Sequence, residues 1–289
     1  MKVLVTGGAG FIGTLLVNKL VEMGHEVVVL DNLAKGKREN VNEKAVFIGG
    51  DVRDGMDVRK AMDGCAVVFH LAAISDVAGD EDAIYKTNFL GSKNVFEVAK
   101  AKNAKIIFAS SAAVYGNIDV PHRETAECKP LSQYGKSKLR SEKYLETLGM
   151  NYSILRLFNV YGPKGGGVIN KFAKQIIDYK DVVINGNGMQ TRDYVFVEDV
   201  VDAFIFAMNN NVDLCNVGTG RETSLSTVVD FIHNTTRCKP TVKFTVQRSG
   251  EIFRSKADTK KMTELGWEPK IQLEDGIKMI LDSYGWKPI

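Results

Sequence analysis

The chain predicts an α/β fold, a doubly wound parallel sheet with a smaller α/β substrate-binding lobe. Three observations predict it. Apolar strand-like runs alternate with amphipathic helices through the first half of the 289 residues. A glycine-rich turn follows the first strand, and an acid closes the second. Such a rhythm gives parallel strands with helices on both faces and a ligand at the carboxyl ends of the strands.

The first strand is the apolar run Val3–Thr6. Gly7-Gly-Ala-Gly10-Phe11-Ile12-Gly13 follows and opens an apolar-periodic helix. Glycines at 7, 10 and 13 let the backbone turn tightly and approach a pyrophosphate, and the helix N-terminus favours that anion. The second strand, Val27–Asp31, ends on an acid eighteen residues after Gly13. An acid there accepts hydrogen bonds from an adenosine ribose and repels a 2′-phosphate, so NAD is favoured over NADP. Lys35, Lys37 and Arg38 lie close by and weaken that preference.

Further strands are expected at Ala45–Ile48, Val67–Leu71, Lys105–Ser110 and Asn151–Leu157, with helices at Ala83–Lys102 and Gln133–Leu148. Asp51-Val52 follows the third strand, Leu71-Ala72-Ala73 ends the fourth, and Ser110-Ser111 ends the fifth. All three fall on the predicted ligand edge. After Gly162-Pro163 the pattern becomes irregular, then regains a helix (Val197–Met208) and a strand (Leu214–Val217). The expected division is a nucleotide-binding domain of 1–163 plus about 195–223, and a lobe of about 164–194 plus 224–289, bounds being the least legible feature of a sequence.

Composition excludes several classes. The 38 basic and 35 acidic residues nearly cancel, and no block of like charge points to nucleic acid or a membrane surface. No apolar run reaches the ~18 residues of a spanning helix, and no signal-peptide pattern precedes the first strand. Cys65, Cys128, Cys215 and Cys238 are scattered and read as reduced thiols of a cytoplasmic protein. His25, His70, His122 and His233 form no metal-ligand pattern.

Tyr134-Gly-Lys-Ser-Lys138 carries the chemistry. A tyrosine and a lysine four apart share one helix face. A free phenol titrates near ~10, too high for a base at neutral pH. A nearby ammonium is expected to lower it, making a base that takes an alcohol proton while a cofactor takes the hydride. Tyr-x-x-x-Lys alone is common by chance. Here it follows the glycine turn and Ser110-Ser111-Ala112-Ala113-Val-Tyr115-Gly116.

These blocks occur in register with Asp31-Asn32-Leu33, Gly50-Asp-Val-Arg-Asp54, His70-Leu-Ala-Ala73, Arg156-Leu-Phe-Asn-Val-Tyr-Gly-Pro163, Thr191-Arg-Asp-Tyr-Val195, Asn216-Val-Gly-Thr-Gly220 and Leu265-Gly-Trp267. Over essentially its whole length the chain resembles the extended short-chain dehydrogenase/reductases with a Rossmann sheet, in the NAD-dependent nucleotide-sugar epimerase/dehydratase group. The resemblance implies contacts. Gly7, Gly10, Phe11, Ile12 and Gly13 line the pyrophosphate turn, and Asp31 and Asn32 hold the adenosine ribose. Asp51 and Val52 flank adenine; Leu71, Ala72 and Ala73 pack under the cofactor, with Asn88 contacting it from the next helix. Lys138 bonds the nicotinamide ribose and Phe158 touches the nicotinamide end.

For substrate, the resemblance implies Ser111 and Tyr134 at the sugar, Asn159 facing the sugar nucleotide, and Arg192 and Arg248 on the diphosphate. Val168, Ile169, Val183, Ile184, Asn185 and Glu251 are further candidates. Ser255, seven residues after Arg248, borders the sugar's C2 substituent, and its small size leaves room for N-acetyl sugars. Family dehydratases carry an Asp-Glu pair where Ala112 and Ala113 stand, and family decarboxylases carry a glutamate in that loop. The implied activity is therefore 4-epimerisation of a UDP-hexose through a transient 4-keto sugar. The alternatives are a 4-ketoreductase with net redox and a noncatalytic NAD-binding protein. A homodimer is also implied, paired through Ala83–Lys102 and Gln133–Leu148, with Phe89, Val95, Phe96, Leu139, Tyr144 and Leu148 as its apolar faces.

Overall fold

The computed structural model describes residues 1–76, 79–246 and 252–287. Arg248 and Glu251 lie outside the described residues. The chain divides into two compact units, 1–116 with 127–156 and 201–215, and 117–126 with 157–200 and 216–289. Residues 117–126, 157–163, 195–200 and 216–223, expected in the nucleotide domain, thus group with the second unit.

The first unit is built on β1 (Lys2–Thr6), β2 (Glu26–Asp31), β3 (Val46–Gly49), β4 (Val67–His70), β5 (Lys105–Ser111) and β6 (Tyr152–Leu157). With the strand Leu214–Val217 these form a seven-stranded parallel sheet. Its spatial order is Leu214–Val217, β6, β5, β4, β1, β2, β3. The order reverses between β4 and β1, where a doubly wound sheet opens its ligand crevice. Val3 pairs with Val27 on one side and Val67 on the other. Val3, Leu4 and Val5 are fully buried, which is why β1 reads as a continuous apolar run rather than an alternating one.

Helices α1 (Phe11–Glu22), α2 (Gly55–Ala61), α3 (Glu81–Ile84), α4 (Gly91–Ala101) and α5 (Gln133–Glu146) cover this sheet. Asp54 caps α2 by accepting from the Met56 N–H, and Ser132 caps α5 by accepting from the Gly135 N–H. The expected single helix Ala83–Lys102 carries a π-helical stretch, Tyr85–Leu90, joining α3 to α4. Val95 and Phe96 are fully buried against Phe108, Val68 and Leu4, which corrects their reading as dimer faces: they belong to this chain's own core. Phe89, Leu139, Tyr144 and Leu148 remain half-buried, and Phe89 meets Tyr144 edge-on at 6.3 Å.

His70 ties the sheet to α4. Its ring nitrogens reach Thr6 Oγ1 at 2.7 Å and Ser92 Oγ at 2.8 Å, and it stacks on Phe108. Burial, helped by the Lys138 charge, pushes its pKa down to about 3. The unfolded chain takes up a proton near ~6.5, and the folded state refuses it. His70 therefore contributes stability that is present above its unfolded pKa and is lost as pH falls from there toward the folded value. Stability should drop by about 1.4 kcal/mol per pH unit in that window from this group alone. Urea unfolding of His70→Asn at pH 7 and pH 5 checks this: the variant is weaker at pH 7 but loses less on acidification.

The second unit carries the two-stranded pairs Asn159–Tyr161 with Tyr194–Phe196, Thr191–Arg192 with Thr223–Ser224, and Val182–Asn185 with Val242–Thr245. Helices Val168–Ile177, Leu225–Thr236, Lys260–Leu265 and Leu273–Ser283 complete it. Buried Asp193 organises its centre. Its carboxylate accepts from the Thr219 and Gly220 N–H groups, the Thr219 hydroxyl and the Ala257 N–H, all within 3.0 Å.

Candidate active site

The β1–α1 turn is closed by the Gly10 N–H donating to Gly7 O at 3.1 Å. A Cβ on Gly13 would lie 2.2 Å from Gly7 O, so only glycine lets α1 pack this closely on the turn. No side chain caps α1 and no acid sits in its first turn, so its first N–H groups stay available to an anion. At the end of β2, Asp31 braces this turn: its carboxylate accepts from the Ala9 N–H at 3.0 Å and the Leu33 N–H at 2.8 Å. After β3, Asp51 accepts from Asn32 and from the Arg53 guanidinium, which holds its carboxyl down at about 2.

The end of β5 meets the start of α5. Ser111 Oγ accepts from the Ala113 N–H at 3.2 Å and hydrogen-bonds the Tyr134 phenol. Ser111 thus caps the turn Ala112–Val114 and touches Tyr134 at once. The approach is close because position 135 is glycine: a Cβ there would sit 2.5 Å from Ala113 O. One turn along α5, buried Lys138 donates to Ala109 O at 2.7 Å and lies 6.0 Å from the centre of the Tyr134 ring.

The electrostatics differ from the expectation that Lys138 lowers the Tyr134 pKa. Burial pushes the phenol up, opposed only by the Ser111 hydrogen bond. Burial also brings Lys138 down to about 7, with the Glu142 charge opposing that fall. An ammonium half-neutral at pH 7 and turned toward a backbone carbonyl does little to favour a phenolate.

A buried pair that sequence reasoning passed over stands behind these groups. Glu142 Oε2 accepts from Arg156 Nη2 at 2.7 Å, Oε1 accepts from Arg156 Nε at 3.1 Å, and Oε1 also accepts from Ser110 Oγ. Positions 134, 138 and 142 recur every helical turn, and that spacing is the signal that could have found Glu142.

Other candidates are placed differently from expectation. Asn88 is fully buried; its amide donates to Ile74 O and Ser137 Oγ and accepts from the Ile74 N–H. It therefore holds the loop after Leu71-Ala72-Ala73. Val52 is buried in the core, in the space a Cβ on Gly91 would need. Ile169 and Ile184 are core residues of the second unit, whereas Val168, Val183 and Asn185 are half-buried. The side chains of Ile169 and Ile184 are thus used for packing within the second unit.

In the second unit, Phe158 is buried and stacks on His122, and Asn159 exposes its side chain. Arg192 is half-buried and donates to Thr191 O at 2.8 Å. Ser255 is 4 % exposed. Its neighbour Arg254 is turned to Glu222, donating through Nε at 3.1 Å.

The family profile described as "NAD dependent epimerase/dehydratase family" matches residues 3–218. The chain belongs to that family. A Methanocaldococcus jannaschii protein, provisionally named a UDP-glucose 4-epimerase, is 40 % identical over 97 % of each chain. A UDP-N-acetyl-alpha-D-glucosaminuronate decarboxylase of Bacillus cytotoxicus is 33 % identical, covering 96 % of this chain and 95 % of its own. Among solved structures, the Thermotoga maritima UDP-glucose 4-epimerase with UDP-glucose matches with a TM-score of 0.95 at 37 % identity, over 99 % of each chain. The Thermus thermophilus UDP-glucose 4-epimerase complex with NAD gives 0.93 at 35 % identity, also over 99 % of each.

As a member of the NAD dependent epimerase/dehydratase family, the chain takes NAD as its cofactor. The first unit fits it: an uncapped helix start for the pyrophosphate, and Asp31 with a free lone pair on each oxygen for ribose hydroxyls. Asp31→Ala removes both the ribose acceptor and the charge that repels a 2′-phosphate. It should weaken NAD binding and narrow its gap to NADP, read by titrating both nucleotides.

Proposed function

We propose that this enzyme catalyses 4-epimerisation of a nucleotide-diphosphate sugar of the UDP-glucose/UDP-galactose type. The observation that carries this is the Ser111–Tyr134 hydrogen bond beside buried Lys138, with alanine at 112 and 113. A methyl group moves no proton. The loop therefore lacks the carboxyl groups expected for dehydration or decarboxylation, leaving one phenol to take and return one alcohol proton.

In this reading the glycine turn, Asp31 and Lys138 hold NAD, which supplies the oxidising and reducing capacity when bound. Tyr134 takes the C4 hydroxyl proton with Ser111 bridging the oxygen. The 4-keto sugar turns on its diphosphate tether, and Tyr134 gives the proton back on the other face. Arg192 and Arg248 grip the diphosphate, where a guanidinium fork suits phosphate oxygens. The reaction has no net redox, so NAD is retained through turnover. A cytoplasmic homodimer accompanies this reading, with Phe89, Leu139, Tyr144 and Leu148 as the half-buried contact residues.

The test is a panel of UDP-hexoses, N-acetylhexosamines and uronic acids, with 4-epimers and decarboxylated products resolved by chromatography. A 4-epimer formed without added NADH supports the proposal. Turnover only with stoichiometric NAD(P)H points to the reductase, and carbon dioxide release points to the decarboxylase.

Ser255 bears on which sugars fit. With Arg254 drawn to Glu222, the small buried serine is proposed to border the C2 substituent. Ser255→Tyr should reduce kcat/KM for UDP-N-acetylglucosamine more than for UDP-glucose, by building a clash against the larger group. Equal loss on both substrates, or none, would remove Ser255 from that role.

A further inference from the structure

Glu142 serves no step in the chemistry above, yet it is among the most buried charges of the first unit, with a side chain 2 % exposed. It lies one helical turn beyond Lys138 and two beyond Tyr134, on the same face of α5. Its two oxygens take three donors from two other strands. Arg156 on β6 supplies Nε and Nη2, and Ser110 on β5 supplies its hydroxyl. The Arg156 guanidinium lies over the Tyr115 ring at 4.8 Å, so the arginine is itself fixed.

Ser110 lies between the two residues of β5 that reach the proposed reaction centre. Ala109 offers the carbonyl that holds Lys138 Nζ, and Ser111 offers the hydroxyl that bonds Tyr134. Ser110 is bonded in the chain to both, so the hydrogen bond from its hydroxyl to Glu142 clamps the backbone between them.

We propose that Glu142 is a positioning residue: through Ser110 and Arg156 it locks the end of β5, and with it both Ser111 and the carbonyl that orients Lys138, and it sets a buried negative charge one helical turn from Lys138. The roles of Ser111, Tyr134 and Lys138 rest on the function proposed above; the clamp and the charge effect do not.

Among the described residues, Tyr134 and Glu142 on α5, Phe108 and the Ala109 carbonyl on β5 and His70 on β4 face Lys138, while Arg156 on β6 is held by Glu142. His70 stays neutral above about pH 3, and Arg156 stays charged. Glu142 is thus the anion that offsets the desolvation of Lys138.

The test is an NMR titration of the Lys138 side chain in the full-length protein with 13Cε-labelled lysine, its signal assigned by its loss in Lys138→Met. In Glu142→Gln the amide keeps the volume and removes the charge. The Lys138 midpoint should fall from about 7 by about one pH unit or more, a tenfold change in proton affinity. Glu142→Asp, which keeps the carboxylate, should recover most of the shift. An unmoved midpoint in Glu142→Gln would reduce Glu142 to a structural ion pair and overturn the proposal. Ser110→Ala tests the clamp without disturbing the pair. It should lower kcat roughly tenfold, less than the ~10²–10⁴-fold that deleting one acid–base group costs, with KM and Tm near wild type. Unchanged kcat in Ser110→Ala would overturn the clamp. A wild-type protein inactive on every nucleotide sugar, with the Lys138 midpoint still shifting, would sink the functional reading and leave the charge effect standing.

Discussion

Tyr134→Phe is expected to lower kcat on the nucleotide sugar by at least the ~10²–10⁴-fold typical of one acid–base group, with NAD affinity and Tm close to wild type. The phenol oxygen is the atom removed, and its direct bond is to Ser111, which keeps its second partner in the Ala113 N–H. The fold therefore loses one hydrogen bond, worth about 0.5–1.5 kcal/mol. The pH profile adds a sharper reading. Burial raises the Tyr134 pKa, so the base form grows as pH rises through neutrality. Wild-type kcat should climb on that limb, and the phenylalanine variant should show a flat one. Turnover near wild type, or an unchanged limb, would take Tyr134 out of the reaction.

The same residues show which parts of this protein can be read from its sequence. The β1–α1 turn was legible because each glycine answers a local need, seen where a Cβ on Gly13 would strike Gly7 O. Asp31 was legible because strand length fixes where β2 ends. Tyr134 and Lys138 were legible as a pair on one helix face. Their electrostatics were not, because the pKa of each depends on burial by β5, and helical spacing carries no information about depth. Asn88 was visible as a polar residue on a helix; it lies in the π-helical stretch, where its own carbonyl accepts from both Ser92 and Ser141, and helical spacing does not reveal that its amide turns to the Ile74 backbone. The depth of Val52, Ile169 and Ile184 was not legible for a related reason: apolar periodicity marks a buried face and does not say whether core or ligand buries it. The second unit was least legible, since strands of two residues such as Thr191–Arg192 and Thr223–Ser224 have no period to read.

Glu142→Ala is expected to cost about 3–5 kcal/mol of folding stability, the loss seen when one partner of a buried ion pair is removed. Position 142 lies in a helix rich in Lys, Arg and Glu, where a charged residue reads as solvent-facing. The fold places it beside Arg156, with side-chain exposures of 2 % and 5 %. For Arg156, burial works against the charge, and the bonds and charge of Glu142 more than offset it. Deleting the carboxylate leaves a guanidinium that cannot give up its proton at any ordinary pH and cannot reach water. Exposed pairs such as Lys37–Glu39 make the contrast, since their charges keep their hydration when the partner goes. A second arm isolates the cause. Glu142→Leu combined with Arg156→Met removes both charges and keeps the volume filled, and replacements of this kind are often neutral. Urea unfolding should therefore show the double variant well above Glu142→Ala. If the two are equally unstable, the loss comes from packing and from the Ser110 bond, and an uncompensated guanidinium is not its source.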